Sequence, residues 1–142
     1  MLYRTVLDTD VLVAGLRSDR GASRRLLTAA LHERYVVLAS VPLMLEYESV
    51  LTRPEHLEAA GMSAADLGIL LDAFAAVAEA VRISFLWRPV LPDPGDDLVL
   101  ETAVNGRGDV IVTFNRRDFE PAAARFGVEI LTPAEAVRRL EG

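Results

Sequence analysis

Acidic side chains recur at four places along the chain, each near the end of a short apolar run or the start of a helical segment. These residues are Asp8, Asp10, Glu46, Glu48, Asp93, Asp96, Asp97 and Asp118. Clustered carboxylates repel one another unless a positive group lies among them. A hard divalent cation such as Mg²⁺ or Mn²⁺ meets that need with oxygen ligands, and it can polarise a phosphate and activate an attacking water. The acids therefore favour metal-dependent phosphoester chemistry.

The remaining composition removes several other chemistries. The 142 residues include no Cys, so a disulfide scaffold, a thiolate metal site and a cysteine nucleophile are excluded. All 15 basic residues are Arg, so Schiff-base enzymes and Walker-type phosphate loops, which need Lys, are also excluded. The net charge is −6, and binding of a nucleic acid would therefore require a local basic patch or metal ions.

Apolar runs and helical periods alternate along the chain. Strands are predicted at 2–7, 36–39, 110–112 and 128–131, with a weaker one at 81–85. Helices are predicted at 11–16, 22–31, from Ser40 to about Arg53, from Ser63 to about 81, at 96–104 and 119–126, and from Pro133 onward, with a loop at 89–95. This alternation predicts an α/β fold in one domain over 1–142, a three-layer α/β/α sandwich with a central, mostly parallel sheet. Ligands bind such sheets beyond the carboxyl ends of the strands, where the acids are expected to converge.

Each acid also has a purely structural interpretation. Asp8 or Asp10 could cap the first helix, and Asp118 could cap the helix that starts near Phe119. Asp96 and Asp97 could be first-turn residues favoured by the helix dipole. Helical spacing does not distinguish Glu46 from Glu48, and either could be solvated. These interpretations do not explain why four elements place acids at one predicted edge.

The chain resembles the PIN-domain family, and in particular the VapC-like toxins of toxin–antitoxin systems. The matching pieces occur in family order and span almost the whole chain, at 7–12, 40–51, 93–97, 112–119 and 130–133. The resemblance implies a ribonuclease dependent on Mg²⁺ or Mn²⁺. It implies an RNA substrate, a cognate antitoxin protein and a homodimer. No membrane association is expected, because no uninterrupted apolar run approaches the length of a membrane-spanning helix.

The family's acidic positions fall on Asp8, Glu46 and Asp97, and Asp96 could exchange roles with Asp97. The fourth position is Asn115, where many relatives have Asp, so Asp118 is expected to supply the charge. Relatives usually have Asn where this chain has Asp10. Four further residues are expected to support the site or metal ligands through hydrogen bonds or charge. They are Thr9, Asp10, Glu101 and Thr113.

The basic residues divide into two groups under this resemblance. Arg116 and Arg117, beside the site, are expected to hold the RNA backbone. The more distant arginines could extend this RNA-binding groove, but they are expected instead to be solvated or paired with acids. They are Arg17, Arg20, Arg24 and Arg25. His32 and His56 are expected at the surface, away from the strand ends.

Two other functional classes remain as alternatives. The altered residues Asp10 and Asn115 are compatible with a non-catalytic PIN-fold module that only binds a partner. The Asp8-Thr9-Asp10 sequence also resembles the opening motif of phosphoaspartate phosphatases, although those enzymes usually need a lysine that this chain lacks. The N-terminus has neither the basic start nor the long apolar middle of a signal peptide, and the cytoplasm is the expected location.

Overall fold

The computed structural model describes residues 1–84 and 93–142, which form five strands and eight helices. The strands are β1 (Arg4–Leu7), β2 (Val36–Ala39), β3 (Glu79–Ala80), β4 (Val110–Val112) and β5 (Glu129–Leu131). The helices are α1 (Thr9–Arg17), α2 (Ala22–Leu31), α3 (Val41–Leu51), α4 (Pro54–Ala60), α5 (Ala64–Val77), α6 (Pro94–Asn105), α7 (Arg116–Phe126) and α8 (Pro133–Glu141).

The five strands form one parallel sheet, as the alternating pattern predicts, and their order in the sheet is β3-β2-β1-β4-β5. Thr5 of β1 pairs with Val37 on one side and Val110 on the other. The chain runs outward from β1 to β2 on one side and from β4 to β5 on the other. Connections that leave a parallel sheet in opposite directions open a crevice at the carboxyl ends of the two central strands. That crevice lies where β1 and β4 end.

Helices cover both faces of the sheet, because each buried strand is apolar on both sides. α6 packs on β1, β2 and β4 with α7 beside it, and α1, α2 and α8 pack together. Right-handed crossovers place these two groups of helices on opposite faces. The predicted α/β/α sandwich is therefore the observed architecture.

Three predicted boundaries are wrong, each for a local reason. The helix predicted from Val11 begins at Thr9, since Asp8 caps it. The final helix before β5 begins at Arg116 rather than Phe119, which puts Asp118 in its first turn and not at its cap. The weak strand predicted at 81–85 is instead the two-residue β3, and residue 85 lies outside the described residues.

Helix α4 is absent from the sequence-based prediction. It buries none of its seven residues, so it has no apolar stripe from which a helix could be recognised. Pro54 at its first turn and Gly61 in the left-handed conformation at its end set its bounds. The predicted loop at 89–95 lies mostly outside the described residues.

Helix α5 covers most of the helical segment predicted from 63 to about 81, but it ends at Val77, because the chain turns into β3 at Glu79. Its largest apolar side chains, Leu67, Leu71 and Phe74, are buried in the core, whereas Ile69 is exposed. Among the described helices none alone is long and apolar enough to cross a membrane. α4 and α5 reach that length and apolarity only as a pair, bent by 84°.

Candidate active site

Asp8 is held at the carboxyl end of β1 by hydrogen bonds to both carboxylate oxygens. Oδ1 accepts from the Thr9 backbone N–H at 2.8 Å, and Oδ2 accepts from the Thr113 hydroxyl at 2.7 Å. Thr113 is fully buried after β4, and its Oγ1 accepts from the Asn115 N–H at 2.9 Å. Burial raises the pKa of Asp8, while the Thr113 and Thr9 hydrogen bonds oppose that shift. Asp8 is thus both the cap of α1 and a fixed, nearly buried carboxyl group.

Asp10 lies beside Asp8 and links the first strand to the fourth. Its Oδ2 accepts from the Phe114 N–H at 3.3 Å and the Asn115 side-chain amide at 3.2 Å. Its Oδ1 is buried and has no hydrogen-bond partner among the described residues. Burial, together with the negative charge of Asp8, raises the pKa of Asp10 to about 7. Asp10 is therefore the carboxyl group whose ionisation the surroundings oppose and a nearby cation would favour.

Tertiary packing separates Glu46 from Glu48, which the sequence left equivalent. Tyr47, between them, is fully buried, and its hydroxyl donates to the carbonyl of Leu7, the residue before Asp8. This hydrogen bond fixes the position of α3 beside the carboxyl end of β1. Glu46 lies in the cleft beside Asp8, whereas Glu48 lines an apolar groove between α3 and α5.

The start of α6 brings in the third group of acids. Asp93 caps the helix, its Oδ1 accepting from the Gly95 N–H at 2.8 Å. A Cβ on Gly95 would lie 3.3 Å from both Asp93 Oδ1 and Glu46 Oε1, so the glycine lets these two carboxylates approach. Burial, and then the charges of Asp8 and Asp93, raise the pKa of Asp96 to about 7.

These residues enclose a cleft of about 440 Å³ at the crevice between β1 and β4. Its acidic lining residues are Asp8, Asp10, Glu46, Asp93 and Asp96. Asn115 also lines it, but Asp97 does not appear among its described lining residues. Asp97 and Glu101 are buried in α6, 3% and 1% exposed. Asp118 is exposed, and its charge contributes to the raised pKa of Asp96.

The basic residues are arranged differently from the expectation. Arg116 and Arg117 are exposed, and Arg116 pairs with Glu120 and Glu135. Two basic residues that sequence reasoning missed, Arg53 and His56, line the cleft. The sequence predicts that His56 lies away from the strand ends, and that prediction is wrong. Helix α4 brings His56 into the cleft lining, and only the prediction of a helix over 54–60 could have indicated this.

Three of the four more distant arginines show the expected pairing or exposure, and Arg17 is the exception. Arg24 donates to the Gly15 carbonyl and lies 3.7 Å from Asp19, and Arg25 lies 3.6 Å from Glu141. Arg20 is exposed. Arg17 donates to His56 rather than to an acid.

The donor set fits a hard divalent cation. It consists of carboxylates and an amide, with an unpartnered buried oxygen on Asp10 and two carboxyl groups whose pKa is near 7 without a cation. Within residues 1–84 and 93–142, no three acidic or imidazole side chains are arranged to hold an ion as they stand. Mg²⁺ commonly takes only one or two carboxylates directly and keeps several waters, so it does not need such a group.

Comparison with known proteins places this geometry in context. A family profile described as "PIN domain" matches residues 4–117. A solved structure described as VapBC2 from Rickettsia felis bound to a DNA fragment from their promoter contains a chain of similar fold. That chain superposes with a TM-score of 0.58 and 13% sequence identity, over 91% of the present chain and 98% of its own. No curated protein matches.

Proposed function

The chain belongs to the PIN-domain family, and from this premise we propose that it is a ribonuclease that requires Mg²⁺ or Mn²⁺. PIN domains are generally nucleases that use divalent metals. The observation that carries the proposal is the convergence of carboxylates from β1, α3 and α6 in one cleft at the topological switch point. A chain with net charge −6 gains little from an uncompensated acidic cleft unless a cation occupies it.

The residues that would hold the metal are Asp8, Glu46 and Asp96. The position of Asp96 in the cleft supports assigning it this role in place of Asp97, which is buried in the same turn. Asn115 and Asp118 would support a second ion, and Asp10 would add charge beside Asp8. When bound, the cation would polarise the scissile phosphate and lower the pKa of the attacking water.

The chain's own groups would prepare the site for that reaction. Thr9 and Thr113 each donate a hydrogen bond to the Asp8 carboxylate. These two bonds fix the orientation of the carboxylate and so the direction of its remaining lone pairs. Tyr47 and Gly95 set the position and the approach of Glu46. Hydrolysis of RNA at this site would leave a 5′-phosphate and a 3′-hydroxyl.

We also propose that the protein is the toxin of a type II toxin–antitoxin pair. The toxin–antitoxin complex among its structural neighbours supports this assignment through the fold. A cognate antitoxin would then inhibit the nuclease, and a homodimer would be its assembled form.

The first experiment incubates the purified chain with a mixed RNA pool in Mg²⁺, in Mn²⁺ and in chelator. We expect cleavage with either metal, none in chelator and none by the Asp8→Asn protein. A folded wild-type sample that leaves the pool intact in both metals would contradict the nuclease and favour the non-catalytic binding module.

A matched pair on α3 tests whether the cleft is the site. Glu46→Gln and Glu48→Gln remove the same charge from the same helix, two positions apart, but only Glu46 lies in the cleft. Loss of a metal-ligating carboxylate is expected to lower the cleavage rate at least about 100-fold. Glu48→Gln is expected to cleave at the wild-type rate, and equal losses in both variants would rule out this placement of the site.

A further inference from the structure

The cleft is acidic at one end and basic at the other, and two helices repeat this order. Along α1, Asp10, Val13 and Arg17 follow one another at spacings of three and four residues. Along α3 and the residues that follow it, Glu46, Val50 and Arg53 do the same. Asp10, Val13 and Arg17 therefore share one face of α1. Glu46 and Val50 share a face of α3, and Arg53 follows two residues after that helix ends, as the N-cap of α4.

Both valines line the cleft, and in sequence each lies three or four residues from the acid before it and from the arginine after it. Seven residues of helix correspond to about 10 Å, so the two ends suit different phosphates of one strand. A cation bound at the acidic end would serve the scissile phosphate, while the opposite end offers hydrogen-bond donors for another. In this arrangement, phosphodiester cleavage takes place at the acidic end and binding of the RNA backbone at the basic end.

The hydrogen bond between Arg17 and His56 fixes the tautomer of the imidazole. The Arg17 Nη2 lies 3.1 Å from Nδ1 of His56 and 3.5 Å from the carbonyl oxygen of Glu55. Arginine has only donors, so Nδ1 must accept, and the ring proton of neutral His56 is then on Nε2. The half-buried His56 thus lines the cleft as a hydrogen-bond donor whose orientation Arg17 holds.

Arg53 supplies the positive charge at this end. Its side chain is exposed, and it forms no ion pair with any acid in the described part of the chain. Arg116, the basic residue expected from the sequence to hold RNA, already pairs with Glu120 and Glu135. A guanidinium that forms no ion pair with a described acid, in the lining of an acidic cleft, is suited to an incoming phosphate.

We propose that Arg53 and His56 bind a backbone phosphate of single-stranded RNA next to the scissile one, and that Arg17 positions His56 for this contact. The inference rests on the proposed ribonuclease function for the identity of its ligand. Arg53 contributes a charged contact and His56 a neutral donor. The pair therefore adds affinity without taking part in bond cleavage.

The test measures binding of a fluorescein-labelled, mixed-sequence single-stranded RNA oligonucleotide to the Asp8→Asn protein in chelator. Binding in this background is independent of cleavage, so its outcome is separate from that of the nuclease experiment. Arg53→Ala is expected to weaken binding about fivefold and to reduce the slope of log K against log salt by about 0.7, because one phosphate contact is lost. Arg20→Ala, which removes the same charge from an exposed position near the end of α1, is expected to change neither.

Variants of His56 separate its donor role from a structural one. His56→Gln places an amide N–H near the position of Nε2 and is expected to retain wild-type binding. His56→Asn, whose amide reaches only as far as Nδ1, is expected to weaken binding about threefold with an unchanged salt slope, because no charge is lost. Arg17→Ala is expected to weaken binding in the His56 protein and to have less effect when combined with His56→Asn, since it acts through that ring.

The same variants are then compared in multiple-turnover cleavage with an intact Asp8. Arg53→Ala and His56→Asn are expected to raise KM by the factor seen in binding and to leave kcat unchanged, which marks an interaction of equal strength in ground and transition states. Binding that does not depend on Arg53 and His56 would overturn the proposal even if the protein cleaves RNA. If RNA binding depends on both Arg53 and His56 but the protein cleaves no RNA, the proposed phosphate contact would be supported and the proposed nuclease activity rejected.

Discussion

Asp10→Asn is expected to stabilise the protein, because the folded state disfavours the charged form of the Asp10 carboxyl group. The native pKa of Asp10 is about 7, against the ordinary value of 3.8. Between these two values the native state binds a proton that the unfolded chain has released. Stability therefore falls as pH rises through this window, and the full cost is present above about pH 7.

The magnitude follows from the size of the shift. Three pH units at 1.36 kcal/mol each set a ceiling of about 4 kcal/mol. The Asp10 side chain is only partly buried, so solvent screening reduces the expected gain to about 2 kcal/mol. Asparagine keeps an oxygen to accept from the Phe114 N–H and directs an amide donor toward Asp8 in place of the unpartnered Oδ1. For a chain of 142 residues, such a gain corresponds to a rise in Tm of about 6 °C.

The assay is thermal unfolding followed by circular dichroism in chelator, at about pH 8 and about pH 4. Both conditions lie away from the isoelectric point of about 4.9. Asp19→Asn is the matched control, since it removes the same charge from a side chain that is 92% exposed. We expect a higher Tm for Asp10→Asn than for both other proteins at the higher pH, and nearly equal values at the lower pH.

Added Mg²⁺ provides a second arm of this experiment. A cation beside Asp8 and Asp10 offsets their repulsion, so the advantage of Asp10→Asn is expected to shrink as the metal concentration rises. An Asp10→Asn protein no more stable than wild type at the higher pH, or equally stabilised at both pH values, would refute the reasoning from burial and charge.

Three further predictions test the remaining contacts. Asp96→Asn is expected to lower metal-dependent cleavage at least about 100-fold, whereas Asp97→Asn is expected to reduce it much less; the opposite order would return the ligand role to Asp97. Thr113→Val removes the hydroxyl that donates to Asp8 and is expected to lower the free energy of unfolding by about 1–3 kcal/mol in urea denaturation, while Thr113→Ser retains most of it. Gly95→Ala places a methyl 3.3 Å from the Glu46 carboxylate and is expected to raise the Mg²⁺ concentration needed for half-maximal cleavage, with little change in Tm.

The sheet and most helices could be predicted because their signals are local. Val110 to Val112 are buried on both sides and form an uninterrupted apolar strand, which a sequence displays directly. Ser63 with Asp66, and Thr132 with Glu135, form the capping boxes that their spacing indicates. Helix α4 carries no such signal, since it fully buries none of its side chains and only Leu57 and Ala60 pack partly against the core, so the sequence does not predict it.

The candidate site was predictable only as a set of acids. Chain alternation predicts a parallel sheet, and a parallel sheet gathers the acids at the carboxyl ends of its strands. That β1 and β4 are neighbours is known only from the structure. The sequence does not show which of two nearby acids faces the cleft. Glu46 and Glu48, like Asp96 and Asp97, offer the same chemistry, and which of them enters the cleft depends on the rotation of the helix about its axis.

That rotation is set by contacts distant in sequence. Tyr47 bonds to the carbonyl before Asp8, 40 positions away, and the Ser40 and Thr102 hydroxyls meet at 2.7 Å across 62 positions. The sequence by itself determined the chemistry available to this protein, namely oxygen ligands, arginine and no thiol or lysine, and the order of its strands and most helices. Only the tertiary structure decided which carboxylates share the cleft and that Arg53 and His56 join them, because side-chain convergence depends on long-range packing that no local pattern encodes.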